Sequence, residues 1–275
     1  MPLGALRRAL VAVSAFVALS PALAAEGVVA VVVLKEHGVG NQALAQPYLD
    51  RMVAIAAKQN SWPGVNGKYF TNRSAAEAFI KSDQPHYGIL SLPAFLALRE
   101  PYQLEVIGRV AVSLAGGRRY FLISKTASDL DGCKGQKLAT DHADDPRFID
   151  QVVFAGRARL ADFTFVPTQR PLQTIKAVLT DQAVCALIDD AQKDQLDHLA
   201  DKDGVRVVWE SAELPPMPVV AFPNSPPAER QTFKKKLDGL CEDDGKSACA
   251  EVGIDDLTDA DDADYASVVS AYGSK

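Results

Sequence analysis

Val28-Val29-Ala30-Val31-Val32-Val33-Leu34 runs directly into Lys35-Glu36-His37-Gly38. Seven apolar residues in a row, most of them β-branched, show no alternation between faces. Both faces of such a strand must be covered, which is the pattern of a central strand in a parallel sheet. The polar turn marks its carboxyl end. A helix is expected next, with Gln46 at its N-cap, Pro47 in its first turn and an inward stripe of Tyr48, Met52, Ile55 and Ala56. Lys68-Tyr69-Phe70 reads as a short strand, and Thr71 or Asn72 caps a helix with Ala75, Ala78 and Phe79 inward. Tyr87-Gly88-Ile89-Leu90 is the third strand. Ser91 caps the helix after it, which buries Phe95, Leu96 and Leu98. Three strand–helix alternations predict a mostly parallel sheet flanked by helices.

The rhythm then breaks. Residues 104–114 and 119–124 are both strand-like, and only Ala115-Gly116-Gly117 separates them, so no helix fits between. Alternation resumes with strands at 136–140, 163–166, 183–188 and 205–209 and helices near 146–155, 171–179 and 191–199. A second break comes at Pro215-Pro216, before a strand at 219–222. The remainder from Pro227 reads as helical and strongly acidic. The two breaks are read as the places where the chain passes between two lobes. The expected organisation is a leader at 1–24, one lobe from 25–115 with 216–275, and a second from 116–215. Each lobe is an α/β unit with a mostly parallel sheet, and two hinge strands join them. Ligands of open α/β sheets sit beyond the strand carboxyl ends. Two such sheets facing each other across a hinge form a closing clamp.

Arg7 and Arg8 precede an apolar run from Ala9 to Leu19, and Pro21-Ala22-Leu23-Ala24-Ala25 offers small residues for a signal peptidase. Cleavage is expected after Ala24, and the run is too short for a membrane anchor. The reading is therefore export to the periplasm. Across the 275 residues, 48% are hydrophobic and the net charge is -6, more negative still without the two leader arginines. That balance argues against nucleic acid and anionic membranes as partners. It leaves anionic small molecules open, because screening over about 8 Å makes local donors matter more than net charge. Four cysteines behind a leader suggest disulfides, with three possible pairings. Cys241 and Cys249 flank a short turn and suit a small loop. Cys133 and Cys185 would then pair if the strands at 136–140 and 183–188 are neighbours, free buried thiols being the alternative.

Arg118 to Thr140 (RRYFLISKTASDLDGCKGQKLAT), Thr174 to Gln192 (TIKAVLTDQAVCALIDDAQ) and Leu237 to Val268 (LDGLCEDDGKSACAEVGIDDLTDADDADYASV) resemble segments of one family, in order. The family is that of the type II periplasmic binding proteins, phosphate/phosphite/phosphonate-type subunits of ABC importers. The first segment is similar to the crossover strand, linker and first strand of the second lobe, the last to the C-terminal helices. The resemblance implies capture of a small polar ligand, such as a phosphate- or phosphonate-like oxyanion, between two lobes. It also implies an ABC permease partner, a monomer, no cofactor and no catalysis.

Loops at the strand ends supply the candidate ligand contacts. In the first lobe these are Lys35, His37, Thr71, Asn72 and Ser91, the last three being good helix caps as well. In the second lobe, relatives that bind phosphonates carry a hydroxyl-rich turn with a glycine after the QKLAT-like strand, where amides at a helix start hold the oxyanion. Here the turn reads Thr140-Asp141-His142-Ala143-Asp144-Asp145. Only Thr140 matches in kind, and ionised aspartates repel an anion at close range. Asp144 or Asp145 suits a helix cap ahead of Pro146. Thr168-Gln169-Arg170 precedes a helix and adds a cation, and Asp190 stands at the last strand end, where a helix cap is the simpler reading. Two other functions are weighed: a transport-independent sensor or interaction protein on the same fold, and a secreted enzyme. The chain has no G-x-S-x-G, H-E-x-x-H, P-loop or G-x-G-x-x-G pattern.

Overall fold

The computed structural model describes residues 27–36, 42–113, 116–200 and 202–274. The leader expected at 1–24 and the candidate His37 lie outside them. β1 (Val28–Leu34) is buried along all but its first residue. It is followed by α1 (Gln42–Asn60), β2 (Gly64–Phe70), α2 (Arg73–Asp83), β3 (Tyr87–Leu90), α3 (Leu92–Tyr102) and β4 (Glu105–Val112). β1 pairs in parallel with both β2 and β3, as a strand apolar on both faces requires. Gln46 is not an N-cap: α1 starts four residues earlier and carries Pro47 inside it. Its side chain instead bonds the Gly67 carbonyl and the Tyr69 amide, tying the helix to β2.

The chain then crosses to a second sheet. β5 (Tyr120–Ser124), α4 (Leu130–Cys133) and β6 (Lys137–Thr140) come first, followed by a π-helical turn at Phe148–Val153. β7 (Thr164–Pro167), α5 (Pro171–Leu179), β8 (Cys185–Asp189), α6 (Asp190–Asp197) and β9 (Arg206–Glu210) complete it. It returns as β10 (Met217–Ala221), α7 (Pro227–Lys236), α8 (Gly245–Val252), β11 (Ile254–Asp259) and α9 (Ala266–Gly273). The first sheet has the order β11-β4-β10-β3-β1-β2 and the second β7-β6-β8-β5-β9. β10 is antiparallel to both β3 and β4, and β5 to both β8 and β9, so each crossing enters its new sheet at the end where its neighbours finish.

Two further expectations need correction. The acidic C-terminal segment is not all helical, because Ile254–Asp259 forms an edge strand on β4. The helix expected near 146–155 is a wider π-helical turn, with Phe148, Ile149, Val152 and Val153 buried. α9 packs on that π-helical turn, so the C-terminal segment touches the second lobe. One apolar cluster accordingly runs through both lobes, from Val32, Leu34 and Phe95 to Leu122, Phe148 and Val268. Disulfides join Cys133 to Cys185 and Cys241 to Cys249, and β6 does lie beside β8.

Candidate ligand-binding cleft

The strand ends of the two sheets meet at the crossings. β1 delivers Lys35 and Glu36, and the start of α3 delivers Ser91, Leu92 and Pro93. From the second sheet come Tyr120, His142 and Asp189; Gly116, Gly117, Arg118, Pro215 and Met217 belong to the crossings. Together they enclose a cavity of about 40 Å³, room for on the order of three waters.

Most polar atoms around this cavity are already engaged. Arg73 on α2 grips both oxygens of Glu36, at 2.8 and 3.0 Å, and reaches across to Asp145 of the other lobe at 3.3 Å. Burial opposes the charge on Arg73, and the two carboxylates more than restore it, so its pKa rises. Asp145 also accepts from the Phe148 amide, capping the π-helical turn, and from the Tyr272 hydroxyl on α9. Burial and Asp145 push that hydroxyl up to about 12. Ser91 stands at the N-cap of α3 but makes no side-chain cap; its hydroxyl donates to Glu36 at 3.2 Å. Arg118 is held by the Leu214 carbonyl and Glu213.

Behind the cavity wall lies a buried polar relay. Thr174 and Gln192 both donate to Asp141 Oδ1 at 2.8 Å, and Gln192 Oε1 lies 2.8 Å from His142 Nε2. Thr140 accepts from the His142 amide. Asp189, not Asp190, caps α6 and forms a capping box with Gln192. Asp190 accepts instead from the amides of Arg118 and Arg119, fastening the crossing strand. The Asp189 carboxylate lies so close to Gly116 that an added Cβ there would sit 2.1 Å from Oδ2.

Three polar groups on the cavity wall make no hydrogen bond among the described residues. They are the Lys35 ammonium, the Tyr120 hydroxyl and Asp189 Oδ2, which has His142 Nε2 3.9 Å away. Desolvation lowers the Lys35 pKa, against the attraction of Asp189 and Asp190. Burial raises that of Asp189, with His142 pulling the other way, and holds Tyr120 well above the ordinary phenol range. Tyr120 therefore remains a proton donor at neutral pH.

Of the residues proposed from sequence, Lys35 and Ser91 line the cavity. Thr140 and Asp141 stand behind it with their side chains satisfied inside the protein. Asn72 caps α2 through the Ala75 amide, and both Thr71 and Asn72 are exposed. Thr168 is bonded to Thr174, Gln169 and Arg170 are exposed, and none of the three lines the cavity. Glu36, Arg73, Tyr120, His142 and Asp189 line or brace the cavity and were not among those proposals, while Asp145 takes the helix-cap role the sequence offered it. For Tyr120 and Asp189 a signal existed: one follows the glycine pair of the crossing, the other ends the last apolar strand. Among the described residues no cluster of His, Cys, Asp and Glu could hold a metal ion.

A family model described as "ABC transporter, phosphonate, periplasmic substrate-binding protein" matches residues 64–265. No curated protein sequence matches significantly. Among solved structures, a Xanthomonas citri protein bound to ATP is similar at a TM-score of 0.71 and 11% identity, over 90% of this chain and 97% of that one. PhnD1 from Prochlorococcus marinus, in complex with methylphosphonate, gives 0.64 and 12%, over 89% and 97%. The binding protein component of a Pseudomonas aeruginosa ABC phosphonate transporter gives 0.62 and 12%, over 86% and 83%. At such identities the likeness is one of fold.

Proposed function

Because the chain belongs to the family of periplasmic substrate-binding proteins of phosphonate ABC transporters, we propose that it closes its two sheets over one small polar molecule and presents it to an ABC permease. In this reading residues 1–24 are an export signal cleaved after Ala24. The lobes are 25–115 with 216–275 and 116–215, and the protein works as a monomer without nucleic acid. The bends lie at Gly116-Gly117 and Pro215-Pro216, between β4 and β5 and between β9 and β10.

One observation carries the proposal. The cavity wall takes polar groups from both sheets, and the Lys35 ammonium, the Tyr120 hydroxyl and one oxygen of Asp189, whose other oxygen caps α6, make no hydrogen bond among the described residues. Groups placed in this way along an interlobe cavity are available to a solute that enters it. Lys35, Tyr120 and Asp189 are the proposed contacts, with Ser91 and His142 beside them. Thr140 and Asp141 shape the second-lobe wall from behind. Ligand capture is tested by melting the protein with a panel of small solutes. A ligand at about 100 times its Kd adds about 2.7 kcal/mol, or roughly 5–11 °C in Tm for a chain of this size.

A second reading has its own support. The cavity is small, and Arg73, Asp145 and Tyr272 bridge the lobes without any ligand. A sensor or interaction protein that stays shut would use such bridges. It predicts no stabilisation by any small solute and one interlobe distance under all conditions.

A further inference from the structure

The charges around the cleft limit what it can accept, given that it is a solute site as proposed above. Glu36 and Asp189 are in the wall, and Asp141, Asp145 and Asp190 stand just behind it. Against these five carboxylates are Lys35, Arg73 and Arg118. Arg73 is consumed by Glu36 and Asp145, and Arg118 by Glu213 and the Leu214 carbonyl. Among the described residues, Lys35 is therefore the wall cation that makes no hydrogen bond within the protein, while Arg118 is engaged through Nε and one Nη. A doubly charged oxyanion would find one unpaired ammonium, one partly engaged guanidinium and a net acidic surround. The hydroxyl-and-amide cradle that could compensate is replaced by Asp141, whose acceptor oxygen already takes two donors.

The unspent groups are of two kinds. The Lys35 ammonium and the Tyr120 hydroxyl offer donors. Tyr120 is 3% exposed and its hydroxyl has no partner among the described residues. Asp189, 5% exposed, offers an acceptor in Oδ2 beside Gly116. Residues with both kinds of group line one cavity, so a solute held there meets a donor on one side and an acceptor on the other. We infer that the cleft selects a compact zwitterion of amino-acid size, its carboxylate meeting Lys35 and Tyr120 and its ammonium meeting Asp189, over phosphate and phosphonate dianions. The pair Lys35 and Asp189 cancels in charge, and such a ligand brings none. A small molecule with only one of the two groups leaves the other wall unpaired.

Calorimetric titration of the mature protein tests this with glycine, β-alanine and γ-aminobutyrate as zwitterions of graded length. Acetate and ethylamine supply the single-charge controls, and methylphosphonate and phosphate the dianions. The expected result is at least a tenfold lower Kd for one zwitterion than for every control. Lys35→Met and Asp189→Asn should each weaken that zwitterion at least tenfold. Because Asp189 also caps α6, Tyr120→Phe serves as the second probe: it removes a hydroxyl with no partner among the described residues and should weaken binding several-fold in a normally folded protein. Tighter binding of methylphosphonate or phosphate than of any zwitterion overturns the ligand class and leaves solute capture standing. Zwitterion binding that none of the three substitutions changes also overturns it. No binding by any compound overturns both the ligand class and solute capture.

Discussion

Lys35 is a half-buried cation just past the end of β1, where it makes no side-chain hydrogen bond to the described residues. Desolvation lowers its pKa in the folded protein. A depressed folded value means that the unfolded chain binds more protons between that value and 10.5, so stability rises with pH across that window. Below the window the penalty is complete, and above its upper end it is gone. Lys35→Met should therefore raise the Tm of the ligand-free protein near pH 7, by about 2–4 °C for each kcal/mol recovered. The gain should shrink as melts are repeated toward the upper end of that window. A variant that melts lower than wild type near pH 7 would show that attraction to Asp189 and Asp190 outweighs burial. Gly116 makes the opposite point about the same cleft. Its φ of +77° and the 2.1 Å that would separate Asp189 Oδ2 from an added Cβ leave no room for a side chain. Gly116→Ala should cost on the order of 1–3 kcal/mol in urea unfolding and should weaken any ligand that uses Asp189. Equal stability and equal affinity would remove Asp189 from its assigned place.

At the scale of elements, the sequence was legible where burial is two-sided. The run from Val28 to Leu34 can only be a central strand, and α5 at Pro171–Leu179 has the bounds its periodicity predicts. β11 was not legible. Ile254–Asp259 reads IDDLTD, and its acids resemble a solvated helix face. In the fold only Leu257 of that strand is buried, and the acids decorate a sheet edge, where charge discourages pairing with other chains. The π-helical turn was illegible for a different reason: Phe148, Ile149, Val152 and Val153 give an apolar stripe that an ordinary helix also satisfies. The site divides in the same way. Strand ends could be located from periodicity, whereas Arg73 and Asp145 meet through tertiary approach over 72 positions, which local pattern does not encode. The disulfides give an element-scale test. Cys133–Cys185 spans 52 positions and Cys241–Cys249 spans 8. Loop-closure entropy assigns them about 4 and about 2.5 kcal/mol. Replacing each pair by alanine should rank in that order in denaturant midpoints, and a reversed order would contradict the entropic origin.

For the whole molecule, two sheets joined by two crossings could swing freely, yet three devices hold them together. They are the apolar cluster through Phe148 and Val268, helix α9 lying across from the first lobe to the second, and the carboxylate of Asp145. That carboxylate gathers Arg73 from one lobe and Tyr272 from the C-terminal helix. Hydrogen bonds to charged groups are worth about 1.5–3 kcal/mol, enough to shift an open–closed balance by tenfold or more. Asp145→Asn should expand the ligand-free protein, read as a larger radius of gyration in solution scattering, while an unchanged radius would show that the other two devices suffice. All four cysteines are paired, so introduced thiols can be labelled singly. Spin labels at Lys81→Cys on α2 and Lys176→Cys on α5 report the separation of the lobes directly. Closure over a solute predicts a broad, long distance distribution for Asp145→Asn alone and a narrow, short one once a binding solute is added, whereas one fixed distance in wild type and variant, with and without every solute, would contradict a clamp.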